Sequence, residues 1–331
     1  MRILVVMNFG PDPATPQRGR WVVDQVEALR AGGIEVELFT FQPGKDQYLP
    51  ATRRIRRLLR EQSFDLVHAH YGLAGWCALI AGADPLIVTF HGTDVRHPVV
   101  GPSSRLLSRR LALSAGASAA LFGQEAGRAG LPLLPGRTAV LPCGADLSRF
   151  GPKPRREARR ALGLDPDRRY LLFPADPNRP EKRFDRAEEV AARAGVELLT
   201  GGGIQPEEMV DWINAADAVL VTSEYEGFGL ICLESLACEV PLLTTPVGIA
   251  PDVAGSLPNS LCAGFDPQRW SDFAANLLAD PDPRTPGRAA AEALSARRMA
   301  ARVRIAYEEV LGRHGGGTVS TGEFGNDGQI R

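Results

Sequence analysis

The chain has 331 residues, of which 44% are hydrophobic and 23% charged, and its formal net charge is −1. A chain of this length buries enough apolar surface for two cores of ordinary domain size. A nearly neutral balance excludes a global affinity for nucleic acid, so nucleic acid is not an expected partner.

The apolar run begins at Ile3 with only Arg2 between it and Met1, which reads as a first strand and not a signal peptide. No run approaches membrane-spanning length. The five cysteines, Cys77, Cys143, Cys232, Cys238 and Cys262, lack metal-ligand and CxxC spacing, and their odd number reads as free thiols in a reducing compartment. A cytoplasmic protein is expected.

Residues 3–7 predict a strand and 8–20 a loop carrying Gly10, three prolines and Gly19. A helix with Val22, Val26 and Leu29 on one face follows, then Gly32-Gly33 and a strand over 34–41. This is a βαβ opening without GxGxxG, so a dinucleotide fingerprint is missing from its expected place. Residues 51–62 predict a cationic helix. Arg53, Arg56, Arg57 and Arg60 share one face, and Ile55, Leu58 and Leu59 form an apolar stripe on another. A second basic helix carries Arg105, Arg109 and Arg110 beside Leu106, Leu107 and Leu111. Two solvated surface helices explain this pattern; docking on an anionic membrane surface is the sharper alternative.

Residues 64–69 predict a strand ending in His68-Ala69-His70-Tyr71, with no acid or cysteine spaced to complete a metal site. A strand over 86–90 runs into His91-Gly92-Thr93-Asp94. Further strands are expected at 117–122 and 138–141, followed by a turn-rich crossing at 142–146. The second half opens with a strand over 170–173 and a proline-punctuated loop bearing Arg179 and Lys182. A guanidinium and an ammonium at one strand end suit a pyrophosphate. A strand over 196–200 ends in Gly201-Gly202-Gly203, like a phosphate loop, but no helix starts in register with it. Met299, Val303, Ala306 and Val310 form a late helical stripe, and the composition from Gly315 onward reads as a disordered tail.

The most informative stretch is residues 218–245. An apolar strand leads to Glu226-Gly227-Phe228-Gly229, a helix from Leu230 to Cys238, and another strand after Pro241. The glycines permit close backbone approach, and the helix N-terminus behind them favours an anion. Acids repel phosphate, so Glu226 and Glu234 are better matched to hydroxyls: Glu234 to a ribose, Glu226 to a sugar. Together these features describe a nucleotide-sugar.

Glu226, seven intervening residues and Glu234, with GFG after the first acid, resemble the signature of retaining GT-B glycosyltransferases of family 4; Ala237-Cys238 and Pro241 are similar to that family too. The resemblance implies an α/β chain with two Rossmann-like domains facing a central cleft. It implies an N-terminal acceptor-side domain over 1–145 and a nucleotide-sugar domain over 146–296. A helix over 297–313 would cross back to the first domain, ahead of a disordered tail over 314–331. It implies retaining transfer of a sugar from a nucleoside diphosphate sugar to a hydroxyl of a sugar, glycan or lipid-linked acceptor, with no metal and no cofactor. His91 and Glu226 then belong to the catalytic centre. Gly19, Arg179, Lys182, Gly227, Phe228, Gly229, Leu230 and Glu234 belong to the donor site. The alternatives are an epimerase of the same fold and a catalytically silent sugar-nucleotide binder. Peripheral membrane contact through the basic helices stays open. One departure is Glu239, where the family usually has glycine; a left-handed helix C-cap there would strain a glutamate.

Overall fold

The computed structural model describes residues 1–11, 18–125 and 128–314. Apart from His314, the expected tail over 314–331 lies outside the described residues.

The first half alternates strands with helices: β1 (Arg2–Met7), α1 (Arg20–Ala31), β2 (Glu35–Thr40), α2 (Tyr48–Glu61), β3 (Leu66–His70), α3 (Gly72–Ala81), β4 (Leu86–Phe90), α4 (Thr93–Arg96), α5 (Val100–Ser108), β5 (Leu113–Gly116), the short pair β6 (Gln124–Glu125) and β7 (Arg128–Ala129), and β8 (Thr138–Val140). The larger strands form a parallel sheet in the order β2-β1-β3-β4-β5-β8. The second half contains α6 (Arg155–Ala161), β9 (Tyr170–Phe173), α7 (Phe184–Ala194), β10 (Glu197–Thr200), α8 (Met209–Ala215), β11 (Ala218–Val221), α9 (Leu230–Ala237), β12 (Leu242–Thr244), α10 (Ala250–Ala254), β13 (Leu261–Cys262), α11 (Pro267–Leu278) and α12 (Arg288–Ala293). Its parallel sheet runs β10-β9-β11-β12-β13. The long α13 (Ala296–His314) follows.

Helices cover both faces of each sheet, so the inner strands β1, β9 and β11 are almost wholly apolar, whereas the edge strand β2 carries Glu35 and Glu37. Ile3, Val5 and Met7 of β1 join the core beneath α1, whereas Leu4 and Val6 join the one beneath α2 and α3. Met299, Val303, Tyr307 and Val310 of α13 pack into the core holding Ile3 and Val5, so this last helix lies on the first sheet. In both sheets chain order reverses beside a central strand, between β1 and β3 and between β9 and β11. Open α/β sheets bind ligands at the carboxyl ends of strands at such points.

One local expectation changes. The strand expected at 117–122 lies earlier, over Leu113–Gly116. It stops because the Phe122 ring folds back over Gly116, where an added Cβ would sit 2.6 Å from the ring. Gly201 packs against the end of β9, where an added Cβ would meet the Pro174 carbonyl at 2.1 Å, so the close approach requires glycine. On α2 the apolar stripe faces inward: Ile55 is fully buried, and Leu58 and Leu59 pack against the core. Arg53, Arg57 and Arg60 are exposed, while Arg56 donates to the Ile80 carbonyl at 2.6 Å. Among the described residues no helix is long and apolar enough to cross a membrane.

Candidate active site

The loops after β9 and β11 meet at the second sheet's reversal point. The first ends in a 3-10 turn, Pro180–Lys182. The Thr222 hydroxyl ties it to β11 by donating to the carbonyls of Lys182 (3.0 Å) and Arg183 (2.9 Å). Lys182 thereby reaches Glu226: Nζ lies 2.5 Å from Oε1, and the Ser223 hydroxyl donates to the same oxygen at 2.8 Å. Arg179 forks onto Glu181 at 2.9 and 2.6 Å. Arg179, Lys182, Glu226 and Gly227 line a cavity of about 250 Å³, together with Thr93, Arg96 and Tyr225.

The expected donor residues divide by what they can present. Gly229 enters α9 at φ 85°, a left-handed conformation that glycine adopts without strain. Phe228 is buried in the second core, and the half-buried Leu230 packs against it. Gly19 enters α1 at φ 64°, and a Cβ there would lie 2.1 Å from the Phe9 carbonyl. The turn itself therefore requires glycine. Arg183, φ 54°, pairs with Asp185 and Glu224, a solvated cluster beside the cavity.

The first domain closes the cavity from the other side. After β4, the Asp94 carboxylate accepts from the amides of His91 (3.1 Å), Gly92 (3.0 Å) and Gly72 (3.0 Å), fixing the loop. Burial pushes this carboxyl up to about 6 against those amides. The loop touches the GFG loop directly. A Cβ on Gly227 would sit 2.0 Å from the His91 carbonyl, and one on Gly92 would sit 1.7 Å from the Tyr225 hydroxyl. Arg96 stacks over the Tyr225 ring at 4.3 Å. Burial holds the His91 imidazole neutral, lowering it to about 3. His68 and His70 belong to no metal cluster among the described residues; they bond Tyr307, Thr89 and His91.

Glu234 sits on α9, half-buried, and burial pushes its carboxyl up to about 7. Arg149 and Asp24 are the charges facing it. Asp24 lies on α1 of the other domain and is held by Arg20 at 2.7 Å and Arg149 at 3.4 Å. Arg20 also faces Glu207 at 3.7 Å. Glu226 and Glu234 thus occupy different surroundings, one paired with an ammonium and one half-buried without a hydrogen-bonded partner among the described residues.

Two family models match the chain. "Glycosyltransferase Family 4" covers residues 41–149, and "Glycosyl transferases group 1" covers 158–293. The first match contains His91; the second contains Lys182, Glu226 and Glu234. The chain belongs to the group 1 glycosyltransferases. This glycosyltransferase is 27% identical over 350 residues to a D-inositol 3-phosphate glycosyltransferase of Thermobispora bispora, covering 79% of the chain and 81% of the relative. A D-inositol 3-phosphate glycosyltransferase of Segniliparus rotundus is 31% identical over 265 residues, but the match spans 66% of the chain and only 59% of that relative. The fold is that of sucrose-phosphate synthase from Thermosynechococcus elongatus (TM-score 0.67, 18% identity, 95% and 100% of the two chains). It is also that of Anabaena HepE, solved with UDP and glucose (TM-score 0.69, 16% identity, 93% and 100% covered). The architecture is GT-B.

Sequence reasoning missed Tyr225, Arg96, Asp24 and Arg149. Tyr225 adjoins Glu226, and that adjacency was a usable signal. Asp24 and Arg149 lie 125 residues apart, and no spacing rule pairs them.

Proposed function

We propose that this glycosyltransferase moves a sugar from a nucleoside diphosphate donor to an acceptor hydroxyl with retention at the anomeric carbon, and that it needs no metal ion. The observation that carries the reading is the Lys182–Glu226 pair, 2.5 Å apart at the mouth of the GFG loop. A cation for the diphosphate and a carboxylate for the sugar stand side by side there. The α9 N-terminus adds amide donors, and Arg179 adds a second cation. As the donor bond breaks, charge grows on the departing diphosphate, and these fixed positive groups stabilise it. Glu234 accepts from the ribose hydroxyls, and His91 faces the sugar. The relatives named as glycosyltransferases favour transfer over the epimerase and silent-binder readings.

HepE was solved with UDP and glucose, so UDP-sugars lead the donor panel, with GDP- and ADP-sugars beside them. The relatives' names put D-inositol 3-phosphate first among acceptors, tested beside lipid-linked ones. Thermal shift selects the donor, since a ligand bound to the native state alone raises its stability. Calorimetry on Lys182→Ala should then show nucleoside diphosphate affinity weakened by roughly 1–3 kcal/mol, the loss of a charged hydrogen bond. Unchanged affinity would remove Lys182 from the donor site. Turnover abolished by EDTA and restored by Mg²⁺ would overturn metal independence, and an inverted anomeric coupling in the product's proton spectrum would overturn retention.

A further inference from the structure

His68, His70 and His91 form a stack behind the cleft. His68 and His70 alternate onto one face of β3, and Thr89 lies beside His70 in the β3–β4 register. Ring centroids are 4.4 Å apart from His68 to His70 and 5.2 Å apart from His70 to His91. His68 is held at both nitrogens, Nδ1 by the Tyr307 hydroxyl of α13 and Nε2 by the Thr89 hydroxyl, each at 2.8 Å. His70 is clamped between its two neighbours and is bonded at one nitrogen: its Nδ1 lies 2.9 Å from Nε2 of His91. Its Nε2 is buried with no partner. On His91 the remaining nitrogen, Nδ1, has no partner among the described residues.

Burial keeps both His70 and His91 neutral. Each ring therefore carries one N–H, and only one of the two facing nitrogens can hold the shared proton. If His91 donated, the His70 proton would sit on Nε2, an unpaired N–H in a dry interior. Buried donors without partners are rarer than under-used acceptors. With the proton on Nδ1, His70 donates to His91 and leaves only an idle lone pair inside. His91 then carries its own proton on Nδ1. We propose that His70 is a positioning residue that fixes His91 in the Nδ1–H form, so that His91 meets the substrate as a hydrogen-bond donor to an oxygen and not as a base. The substrate half of this statement rests on the reading that His91 faces the sugar.

The test begins with the wild-type protein. Labelling histidine with ¹⁵N and recording long-range proton–nitrogen correlations should show His91 with a protonated-type Nδ1 and an unprotonated-type Nε2. The reverse pattern overturns the proposal whatever the activity. His70→Phe keeps a flat ring but removes the donor; it should release His91 into a different tautomer pattern and lower kcat/KM about tenfold, the value of one hydrogen bond. Nucleoside diphosphate affinity should hold, because His70 bonds His91 and neither Lys182 nor Glu234. His70→Asn, whose amide can donate from near the Nδ1 position, should restore both the His91 shifts and most of the rate. A His70→Phe protein with unchanged His91 shifts, or an Asn variant no better than Phe, would overturn the role. His91→Phe separates the two readings: full activity there would refute the substrate contact, while the nitrogen shifts still decide what His70 does.

Discussion

Replacing Glu234 by glutamine should stabilise the free protein at alkaline pH. The carboxyl ordinarily ionises near 4.5, and burial pushes it up to about 7 in the folded chain. Below 4.5 it is protonated in both states and contributes nothing. Between 4.5 and 7 the unfolded chain releases the proton while the folded one retains it, so stability falls as pH rises. Above 7 the full penalty applies, roughly 3 kcal/mol at about 1.4 kcal/mol per pH unit. About 2 kcal/mol of that develops between pH 5.5 and 8, by the same linkage. Urea unfolding of wild type and Glu234→Gln at both pH values isolates it, because other titrating groups, Asp94 included, cancel in the difference. The gap between the proteins should widen in the variant's favour by about that amount. A gap that stays constant from pH 5.5 to 8 would refute the buried carboxyl. Ribose hydroxyls donate best to an ionised acceptor, so nucleoside diphosphate should bind wild type more tightly at pH 8 than at pH 5.5, and the variant should lose that dependence.

Glu239→Gly should add about 1 kcal/mol to stability, relieving a left-handed residue at φ 57°; unfolding free energies no higher than wild type would mean the glutamate carries an unrecognised contact. Gly227→Ala should cut turnover sharply and open the cleft, since its Cβ would meet the His91 carbonyl at 2.0 Å; unchanged kcat and an unchanged radius of gyration in X-ray scattering would show that the loops need not touch. Replacing Arg53, Arg57 and Arg60 by serine should weaken sedimentation on anionic vesicles, each arginine contributing about 1 kcal/mol at modest salt. Equal sedimentation of both proteins would return α2 to an ordinary solvated helix.

The sheets were legible because parallel strands buried on both faces are mostly apolar. Ile3 to Met7 and Leu86 to Phe90 announce themselves without an alignment. The strand over Leu113–Gly116 was not legible, because serine, alanine and glycine carry no strand signal, and it ends where Phe122 folds back from beyond it. The strain at Glu239 was legible. Val240 N–H reaches the Ser235 carbonyl at 3.0 Å and Glu239 N–H reaches that of Leu236 at 3.1 Å, a helix stop that demands a left-handed residue. On α2, helical spacing separated the charged and apolar faces, yet periodicity could not say that the apolar one is covered by the sheet. The Glu226–Glu234 spacing marked the GFG loop and α9, but not that Phe228 is buried in the second core.

What no local pattern could contain is the contact across the cleft. Lys182 and Glu226 are brought together by one sheet, and Thr222 fixes their distance from within the same domain. Glu234 depends on both domains. Its ionisation is opposed by Asp24 on α1 and favoured by Arg149 on the connecting segment, and those two also bind one another. A ligand that satisfies the Glu234 carboxylate favours its charged form, and the charged form draws on Arg149, which Asp24 shares. A donor bound at Glu234, as proposed, would therefore change the charge balance at the helix that begins the other domain. Asp24→Asn should make this visible by shrinking the gap between Glu234→Gln and wild type at pH 8 and lowering the pH at which that gap levels off, because a carboxylate opposing Glu234 is gone. A gap of the same size that levels off at the same pH as before would mean that Asp24 takes no part in the ionisation of Glu234.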